Sequence, residues 1–412
     1  MHPLASILAV TTLALAACAG QAETTAGGAM PSSAQSAASE AGFQRWLAAF
    51  RPRALAAGVS AKTFAEATAG LHFDADVIRR DRNQSEFAQP IWDYLDTAAS
   101  ATRVKTGQSE LAERKKLFAA LEARYGVEAE VLAAVWGMET NFGRQRGGNA
   151  IIPSLATLAY DGRRGEFFEK QLIAALQIIE AREVDAAHLV GSWAGAMGHT
   201  QFIPTSYLAY AEDFTGDGKR DIWSDNPADA LASTAAYLAR SGWVKGQPWG
   251  VEVILPEGFD YAATGKMRKR AHADWVAMGV RLPSGALPPD HGLASVLLPA
   301  GARGPAFLIY GNFFAIAAYN TADSYVIGTG HLADRLAGGA GFHADWPRGT
   351  RLLGLAERVE LQRRLTAAGF DTKGADGKIG PNTTAAIAAF QRARGLLADG
   401  YATEDLLAAL RK

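Results

Sequence analysis

The chain has 412 residues, which is long enough for two or three domains. Hydrophobic residues make up 49% of it and charged residues 20%, so we expect a well-filled globular core. The formal net charge of −1 argues against a nucleic-acid-binding protein, whose surface would be strongly basic. Cys18 is the single cysteine, so no internal disulfide can form and any metal site must use oxygen or nitrogen ligands.

The amino terminus predicts a signal peptide, residues 1–18, that ends in a lipidated cysteine. Residues 4–17 form an uncharged apolar run that is too short for a transmembrane helix but suits the core of a signal peptide. The run leads into Leu-Ala-Ala-Cys, which resembles the bacterial lipobox and makes Cys18 the lipidated residue. Ala19 follows the cysteine, and the aspartate that would retain a lipoprotein in the inner membrane is absent from this position. The resemblance therefore implies the outer membrane. A plain secretory signal is the alternative, because no lysine or arginine precedes the run.

Residues 19–41 are mostly small or polar and show no hydrophobic period, which predicts a flexible tether. From residue 42 onward, apolar residues recur at three- and four-residue spacing, which predicts a mainly helical chain. Residues 251–255 form the most strand-like segment. The predicted helices begin near Gly42 and Pro90 and include 111–125, 127–142, 167–179, 313–319 and 325–336.

One carboxylate lies inside an apolar helical run. Apolar residues between 127 and 142 share a predicted helix face. Glu139 stands at the edge of that face, close to the helix end that Gly143 marks. Partial burial there would favour the neutral form of the carboxyl group, as a general acid near neutral pH requires. The alternative is a structural glutamate at a helix end, capped by Thr140 or paired with Arg144 or Arg146.

A glycine-rich block at 191–207 would let a ligand approach the backbone closely, because small residues occupy 194–196 and 198. Ser192, Gln201 and Ser206 add neutral hydrogen-bonding groups, which suit an uncharged polar ligand such as a sugar. The alternative is a tight turn between two helices. His199 by itself favours a hydrogen-bonded structural histidine over a catalyst.

Three ordered motifs carry a resemblance to a known family. They are Glu-Thr-Asn-Phe-Gly at 139–143, Ala-Gly-Ala-Met-Gly at 194–198 with Gln-Phe-Ile-Pro at 201–204, and Tyr-Asn at 319–320. With these motifs, residues 42–340 resemble the catalytic domain of the membrane-bound lytic murein transglycosylase B family. The resemblance implies a mainly α fold, in which a lysozyme-like catalytic domain carries a small β or irregular insertion.

The resemblance also implies cleavage of the MurNAc–GlcNAc β-1,4 bond of peptidoglycan. Glu139 matches the single acid/base, which would protonate the leaving oxygen and then deprotonate the C6 hydroxyl. That hydroxyl would attack C1 to give a 1,6-anhydro-MurNAc end without water, while the substrate's own acetamide stabilises the positive centre. Ser192 and Asn320 match residues near the N-acetyl group. The other substrate-binding positions are matched by Gln201, Tyr237, Tyr319 and Tyr325. No cofactor is implied for the chemistry.

A single carboxylate suits this scheme. Ordinary glycosidases place two carboxylates across the bond, and substrate-assisted enzymes are among the exceptions. Asp161, Glu166 and Glu169 are the candidates for a second carboxylate, and with one of them the chain would be a hydrolytic muramidase. These three residues lie in a charged segment that is typical of a solvated turn.

Residues 213–224 predict either a structural calcium site or a calcium-free turn. Oxygen side chains at alternate positions and glycine at the sixth match the first half of an EF-hand loop. The twelfth position is Ser224 instead of glutamate, so Asp229 would close a longer loop, as in calcium-binding members of the resembled family. The predicted ligands are the side chains of Asp213, Thr215, Asp217 and Asp229 and the carbonyl group of Lys219.

The carboxyl-terminal part changes character. Residues 341–351 are a predicted linker, and residues 352–412 resemble a peptidoglycan-binding domain with an internal Asp-Gly-x-x-Gly-Pro turn at 376–381. The pattern predicts a small domain of three helices. Its predicted core is Val359, Leu361, Leu365, Ile387, Phe390, Leu396, Leu406, Leu407 and Leu410.

Together these features predict a periplasmic enzyme, lipid-anchored to the outer membrane, that cleaves peptidoglycan for cell-wall remodelling or turnover. The expected partners are peptidoglycan glycan strands, the membrane through the anchor, and proteins of cell-wall synthesis or division. A wall-binding scaffold with a silent catalytic domain is the alternative from a different functional class.

Overall fold

The computed structural model describes residues 33–83 and 89–412. The predicted signal peptide, Cys18 and the first part of the predicted tether lie outside the described residues. Contacts divide the chain into two compact units. Among the described residues, the N-terminal unit comprises 33–83 and 105–240, and the C-terminal unit comprises 89–104 and 241–412. None of the helices in this part of the chain combines the length and the apolar character that crossing a membrane would need.

Helices dominate the described chain, as the predicted mainly α fold class requires. The helices are α1 (Ser33–Ala56), α2 (Ala61–Thr68), α3 (Ala75–Asn83), α4 (Ile91–Ala98), α5 (Ala101–Glu113), α6 (Lys115–Tyr125), α7 (Ala129–Thr140), α8 (Ile151–Asp161), α9 (Gly165–Glu180), α10 (Pro204–Tyr210), α11 (Ala228–Arg240), α12 (His272–Ala277), α13 (Gly311–Tyr319), α14 (Asp323–Leu336), α15 (Leu355–Ala367), α16 (Pro381–Ala393) and α17 (Glu404–Arg411). The strands are β1 (Asn149–Ala150), β2 (Val190–Gly191), β3 (Gly250–Val253), β4 (Arg270–Ala271), β5 (Leu293–Leu297), β6 (Pro299–Ala302) and β7 (Ala306–Ile309).

Helix α1 begins within the predicted tether of residues 19–41. It starts at Ser33, and alanine, the strongest helix former, is frequent in its first turns. Glu40 fastens this part of the helix, because its carboxylate accepts hydrogen bonds from Gln44 Nε2 and from the backbone N–H of Phe73, each over 2.8 Å. The chain is therefore helical from Ser33 onward, within the range of the predicted tether.

The predicted helix 111–125 is interrupted at Arg114. Helix α5 ends at Glu113 and α6 begins at Lys115, while Arg114 between them has a φ of −108°. The interruption places the guanidinium group of Arg114 5.5 Å from the ring centroid of Trp136 in α7. The break therefore contributes a contact to the helix that carries Glu139.

The C-terminal unit contains the predicted small β insertion. Four strands form an antiparallel sheet in the order β3-β7-β5-β4, and the predicted strand 251–255 is observed as β3. Strands β5 and β7 were not predicted, because short apolar runs cannot be distinguished from buried helix by periodicity alone. Buried Trp275 and Phe259 are part of the core that packs on this sheet.

The predicted three-helix domain at the carboxyl terminus is observed as α15, α16 and α17. Its buried core consists of Leu353, Leu361, Leu365, Ala386, Ile387, Phe390, Leu406 and Leu407, with Leu410 packed against it. The prediction that Leu396 belongs to this core is wrong, because its side chain is 48% exposed. Gly395, with a φ of +65°, ends the helix in a tight turn, and the N–H of Leu396 donates to the carbonyl of Gln391 over 2.8 Å.

The predicted linker, residues 341–351, packs within the C-terminal unit. Both terminal nitrogens of Arg348 donate to the carboxylate of Asp96, over 2.7 and 2.8 Å. The three-helix domain also contacts the insertion directly, because Asp399 Oδ2 accepts a hydrogen bond from the N–H of Ala302 over 3.0 Å. Within this unit, the three-helix domain is therefore held by contacts as well as by its chain connection.

Candidate active site

Glu139 is the penultimate residue of α7 and is half-buried. The helix ends after Thr140 because residues 141–143 take left-handed backbone conformations, with φ values of 50°, 58° and 79°. Gly143 adopts this conformation without strain and asparagine does so readily, but Phe142 must be held in it by its neighbours. The backbone beside the candidate acid is therefore fixed by tertiary contacts.

Trp136, one turn before Glu139, provides the most extensive of these contacts. Its indole ring is fully buried, and the ring of Phe142 packs edge-on against it at a centroid distance of 5.7 Å. The indole N–H donates to Nδ1 of His199 over 3.1 Å. These contacts restrain α7 on two sides of the helix turn that presents Glu139.

His199 is buried and joins three segments of the N-terminal unit. Because the indole of Trp136 can only donate, Nδ1 of His199 is the acceptor, and the proton lies on Nε2. Nε2 donates to the carbonyl of Ser224 over 2.7 Å, and the backbone carbonyl of His199 accepts from Thr140 Oγ1 over 2.6 Å. His199 is therefore the hydrogen-bonded structural histidine that its isolated position in the sequence favours.

Burial lowers the pKa of His199, and the backbone carbonyl of Ser224 opposes this effect only in part. The nearby positive charge of Arg146 lowers the pKa further. The imidazole is consequently neutral near pH 7, which is the form that can accept from Trp136 and donate to Ser224 at once.

Arg146 binds the loop at residues 223–225 that also contacts the imidazole ring, a role that the sequence analysis missed. Its guanidinium group donates to the carbonyls of Trp223 and Ser224, each over 2.7 Å, and forms an ion pair with Asp225 at 2.8 Å. The sequence interpretation considered Arg146 only as a partner of Glu139. No spacing in the sequence relates Arg146 to residues 223–225, so only the folded chain reveals this contact.

The glycine-rich block packs beside the residues that follow α7. Strand β1 pairs with β2. A β-carbon added to Gly147 would lie 2.9 Å from the backbone nitrogen of Ser192, so the two backbone segments approach each other closely. Ser192 is buried, and its Oγ accepts from the N–H groups of Ala194 and Ala196. Gln201 takes a left-handed conformation, and its amide nitrogen donates to the carbonyls of Arg146 and Gly198 over 3.1 and 2.9 Å. The block is thus a hydrogen-bonded turn as well as a candidate ligand wall.

Tyr237 stands on α11 and is half-buried beside this block. Its ring lies 5.9 Å from that of Phe202 and 4.4 Å from that of Tyr210. Burial, and secondarily the neighbouring Tyr210, raises the pKa of Tyr237 to about 12, so its hydroxyl stays protonated at neutral pH. The N-terminal unit therefore holds Glu139, Ser192, Gln201 and Tyr237.

The C-terminal unit holds the other predicted substrate-binding residues, which follow α13. Tyr319 is half-buried at the end of α13, and Asn320 is the buried residue that caps it. Asn320 Oδ1 accepts from the N–H of Ala322 over 3.1 Å, which shapes the turn into α14. Tyr325 is buried in the first turn of α14.

Two of the three candidates for a second carboxylate form ion pairs with arginines. Asp161 pairs with Arg82 at 2.8 Å, and Glu169 pairs with Arg53 at 2.6 Å. Glu166, in the first turn of α9, is exposed. The segment is thus an ion-paired connection between α8 and α9 and only in part the solvated turn that was predicted.

The arginines that were considered as partners of Glu139 pair with other acids. Arg144 lies 3.6 Å from Glu110, and Arg146 pairs with Asp225. The hydroxyl of Thr140 donates to the carbonyl of His199. Thr140, Arg144 and Arg146 therefore each have a partner other than Glu139.

The loop at 213–229 is closed by backbone hydrogen bonds. Asp229 is buried, and its carboxylate accepts from the N–H groups of Phe214, Thr215 and Asp221 over 2.9 to 3.0 Å. Asp213 accepts from the N–H groups of Gly216, Asp217 and Gly218. Burial raises the pKa of Asp229, although its hydrogen bonds with these N–H groups act in the opposite direction.

Asp217, another predicted calcium ligand, also accepts a backbone N–H group. The N–H of Lys219 donates to Asp217 Oδ1 over 2.9 Å, so this part of the loop is an Asp turn. Across residues 33–83 and 89–412, no three acidic, histidine or cysteine side chains are arranged to hold a metal ion. The carboxylates of Asp213, Asp217 and Asp229 all accept backbone N–H groups of the loop.

Comparison with known proteins places the fold and the site in context. The family described as the transglycosylase SLT domain matches residues 42–334, and the family described as a putative peptidoglycan binding domain matches residues 355–410. A relative, the membrane-bound lytic murein transglycosylase B of Escherichia coli (strain K12), is 35% identical over 222 residues. The match covers 52% of this chain and 58% of that relative, so the chain spans little more than half of the relative's length.

Solved structures extend the similarity to nearly the whole chain. Crystal structures of SltB3 from Pseudomonas aeruginosa, in complex with NAG-anhNAM-pentapeptide or NAG-NAM-pentapeptide, are 49% identical with a TM-score of 0.87. They cover 90% of this chain and 99% of theirs. The Escherichia coli lytic transglycosylase Slt35, in complex with calcium, is 28% identical with a TM-score of 0.61, covering 72% of this chain and 93% of its own. These matches agree with the family and the fold class that the sequence motifs predict.

Replacing His199 tests its role in holding the end of α7. In His199→Phe the ring still packs on Trp136, but the indole N–H and the carbonyl of Ser224 each lose a partner. We expect the free energy of unfolding, measured by denaturant titration at pH 7.5, to fall by about 1–3 kcal/mol.

The pH dependence of stability distinguishes the hydrogen bonds of His199 from the packing of its ring. Because burial lowers the pKa of His199, the unfolded chain binds a proton more readily than the folded chain once the pH falls below the ordinary value of 6.5. The contribution of His199 to stability is therefore complete above that value and declines as the pH falls. We expect the stability difference between the wild type and His199→Phe to shrink from pH 7.5 to pH 5. A difference that stays constant would contradict the neutral, buried imidazole.

Proposed function

Because the chain belongs to the transglycosylase SLT domain family, we propose that it is a lytic transglycosylase acting on peptidoglycan. It cleaves the MurNAc–GlcNAc β-1,4 bond and leaves 1,6-anhydro-MurNAc ends, in cell-wall remodelling or turnover. The observation that carries this proposal is the half-buried Glu139 at the end of α7, a helix end that Thr140 ties by a hydrogen bond to His199 of the glycine-rich block. The structures of SltB3 with a peptidoglycan fragment in its NAG-anhNAM form support the same chemistry.

Glu139 performs both proton transfers in this proposal. Its neutral carboxyl group donates a proton to the oxygen that leaves C1, while the acetamide of the substrate stabilises the positive charge at that carbon. The resulting carboxylate then takes the proton of the C6 hydroxyl, which attacks C1 and closes the 1,6-anhydro ring. Atoms balance without water, and Glu139 returns to its starting protonation state.

The neutral groups of the site recognise the sugar. We assign Ser192 and Asn320 to contacts near the substrate's N-acetyl group, following the family's motifs alone. Gln201 and Tyr237 supply uncharged polar contacts, and we assign Tyr319 and Tyr325 to substrate binding on the same basis. A neutral ligand explains why these residues offer hydroxyl and amide groups instead of charges.

The remaining parts of the chain place the enzyme on its substrate. We propose that residues 42–340 form the catalytic domain and that residues 352–412 hold the chain on the cell wall. The relative from Escherichia coli is named as membrane-bound, and Cys18 provides a lipidation site for a comparable anchor. The proposed location is therefore the periplasmic face of the outer membrane, where partner proteins of cell-wall synthesis or division would meet the enzyme.

Calcium is not required for the fold in this proposal, although Slt35 has been solved in complex with it. Backbone N–H groups of the loop donate to the carboxylates of Asp213 and Asp229 and hold the loop closed. We expect the melting temperature in millimolar calcium to match that in EDTA within about 1 °C, because a ligand stabilises only what it binds. A rise of several degrees that is abolished in Asp217→Asn, which removes one predicted ligand, would establish a calcium site.

Replacing Glu139 with glutamine tests the proposed mechanism. Glutamine has nearly the same shape but cannot donate or accept the catalytic proton. We expect the release of soluble fragments from purified peptidoglycan to fall by at least about a hundredfold, with an unchanged melting temperature. Glu130→Gln, in the first turn of the same helix, is the matched control and should retain full activity.

Mass spectrometry of the released fragments separates the alternatives. Fragments lighter by one water than the hydrolytic products, absent with Glu139→Gln, support the lytic transglycosylase. Hydrated reducing ends would indicate a hydrolytic muramidase and direct attention to Glu166, the exposed member of the second-carboxylate candidates. No release by the wild type, with wall binding intact, would identify a non-catalytic scaffold.

A further inference from the structure

A short run of positive charge in the insertion has no role in the proposed reaction. Residues 266–270, the basic segment, read Lys-Met-Arg-Lys-Arg and place four cations within five positions of a chain whose net charge is −1. The segment precedes and enters strand β4, and its residues from Met267 to Arg270 are exposed. Such a local concentration of one sign attracts anions.

The basic segment is held in a defined position within the C-terminal unit. Lys266 Nζ forms an ion pair with Asp323 Oδ1 at 2.6 Å, which ties the segment to the first residue of α14. Lys269 Nζ lies 4.3 Å from the centroid of the Phe314 ring in α13. The segment therefore lies against the pair of helices whose connecting turn contains Asn320.

Three of the four cations are left without an acidic partner. Lys266 is neutralised by Asp323, but in the part of the chain that the structure describes no carboxylate forms an ion pair with Arg268, Lys269 or Arg270. Like charges in adjacent positions repel one another, so the cluster of charges does not by itself stabilise the fold. Their exposure leaves them able to bind an anionic ligand.

We propose that the basic segment binds the carboxylates of the peptide that peptidoglycan carries, an inference that rests on the proposed function. The glycan itself offers neutral hydroxyl and acetamide groups, which do not call for three cations. The muramic sugar bears both the N-acetyl group, which we assign to Asn320, and the peptide. Asp323 begins α14 directly after the turn that contains Asn320, so the residue assigned to the N-acetyl group and the anchor of Lys266 lie close together in the chain.

An anionic lipid surface is the competing ligand, because Met267 is 76% exposed beside these charges. The ties to α13 and α14 favour peptidoglycan, since they place the cations next to a residue assigned to the sugar. Removing the charges would weaken binding to peptide-bearing strands if the ligand is the peptide, and binding to anionic vesicles if the ligand is a lipid surface.

The test compares binding to soluble glycan strands with and without their peptides. The full chain carrying Glu139→Gln is used so that strands stay intact, and affinity is measured by fluorescence anisotropy of labelled strands. Adding Arg268→Gln and Lys269→Gln is expected to weaken binding to peptide-bearing strands by about tenfold and to leave binding to stripped strands unchanged. Arg268→Gln alone, which leaves the Lys269–Phe314 contact in place, should produce a smaller loss of the same kind.

A matched control removes the same charge elsewhere. Arg51→Gln with Lys62→Gln neutralises two exposed cations of the N-terminal unit and should change neither affinity. Equal losses for both kinds of strand, or no loss for either, would overturn the inference. Loss of binding confined to vesicles that contain anionic phospholipid would assign the segment to a membrane and overturn it as well. If the Glu139→Gln chain bound neither strand, the proposed function would fail together with the inference.

Discussion

The hydrogen bond from the indole of Trp136 to the imidazole of His199 is the contact on which the candidate site depends. It requires a neutral imidazole, because a protonated ring would have no acceptor for the indole N–H. The same ring donates to Ser224, and the backbone of His199 receives the hydroxyl of Thr140. A single buried side chain thus joins the end of α7, the glycine-rich block and the loop at 223–225.

The distribution of charge supports the proposal that one carboxyl group acts alone. Asp161 and Glu169 are paired with arginines, and Asp81, which is buried, is paired with Arg163. A carboxylate held in an ion pair is stabilised in its charged form and is a poor proton donor. Asp161 and Glu169 therefore make structural ion pairs, while the polar side chains of the glycine-rich block are mainly neutral. Such a site suits a reaction in which the substrate supplies its own acetamide and its own nucleophile.

The sequence was informative where periodicity and chemistry coincide. The helix that carries Glu139 was predictable from its apolar spacing, and the family motifs indicated which neighbours to consider. Strands β5 and β7 were not predictable, because a short apolar run fits either a buried helix or a buried strand. Leu396 was misplaced because a glycine turn can leave an apolar side chain at the surface. The tie between Arg146 and residues 223–225 depends on tertiary folding alone, so no local pattern could have revealed it.

The central claim is that Glu139 both gives and takes the proton, so that water never enters the product. The most direct measurement is digestion of purified peptidoglycan by the mature chain in water enriched in oxygen-18, followed by mass spectrometry of the released fragments. The account predicts fragments that lack one water and carry no heavy oxygen at the cleaved end. Fragments with one heavy oxygen at each new reducing end would show that water is the nucleophile, and would contradict a mechanism that depends on a single carboxyl group.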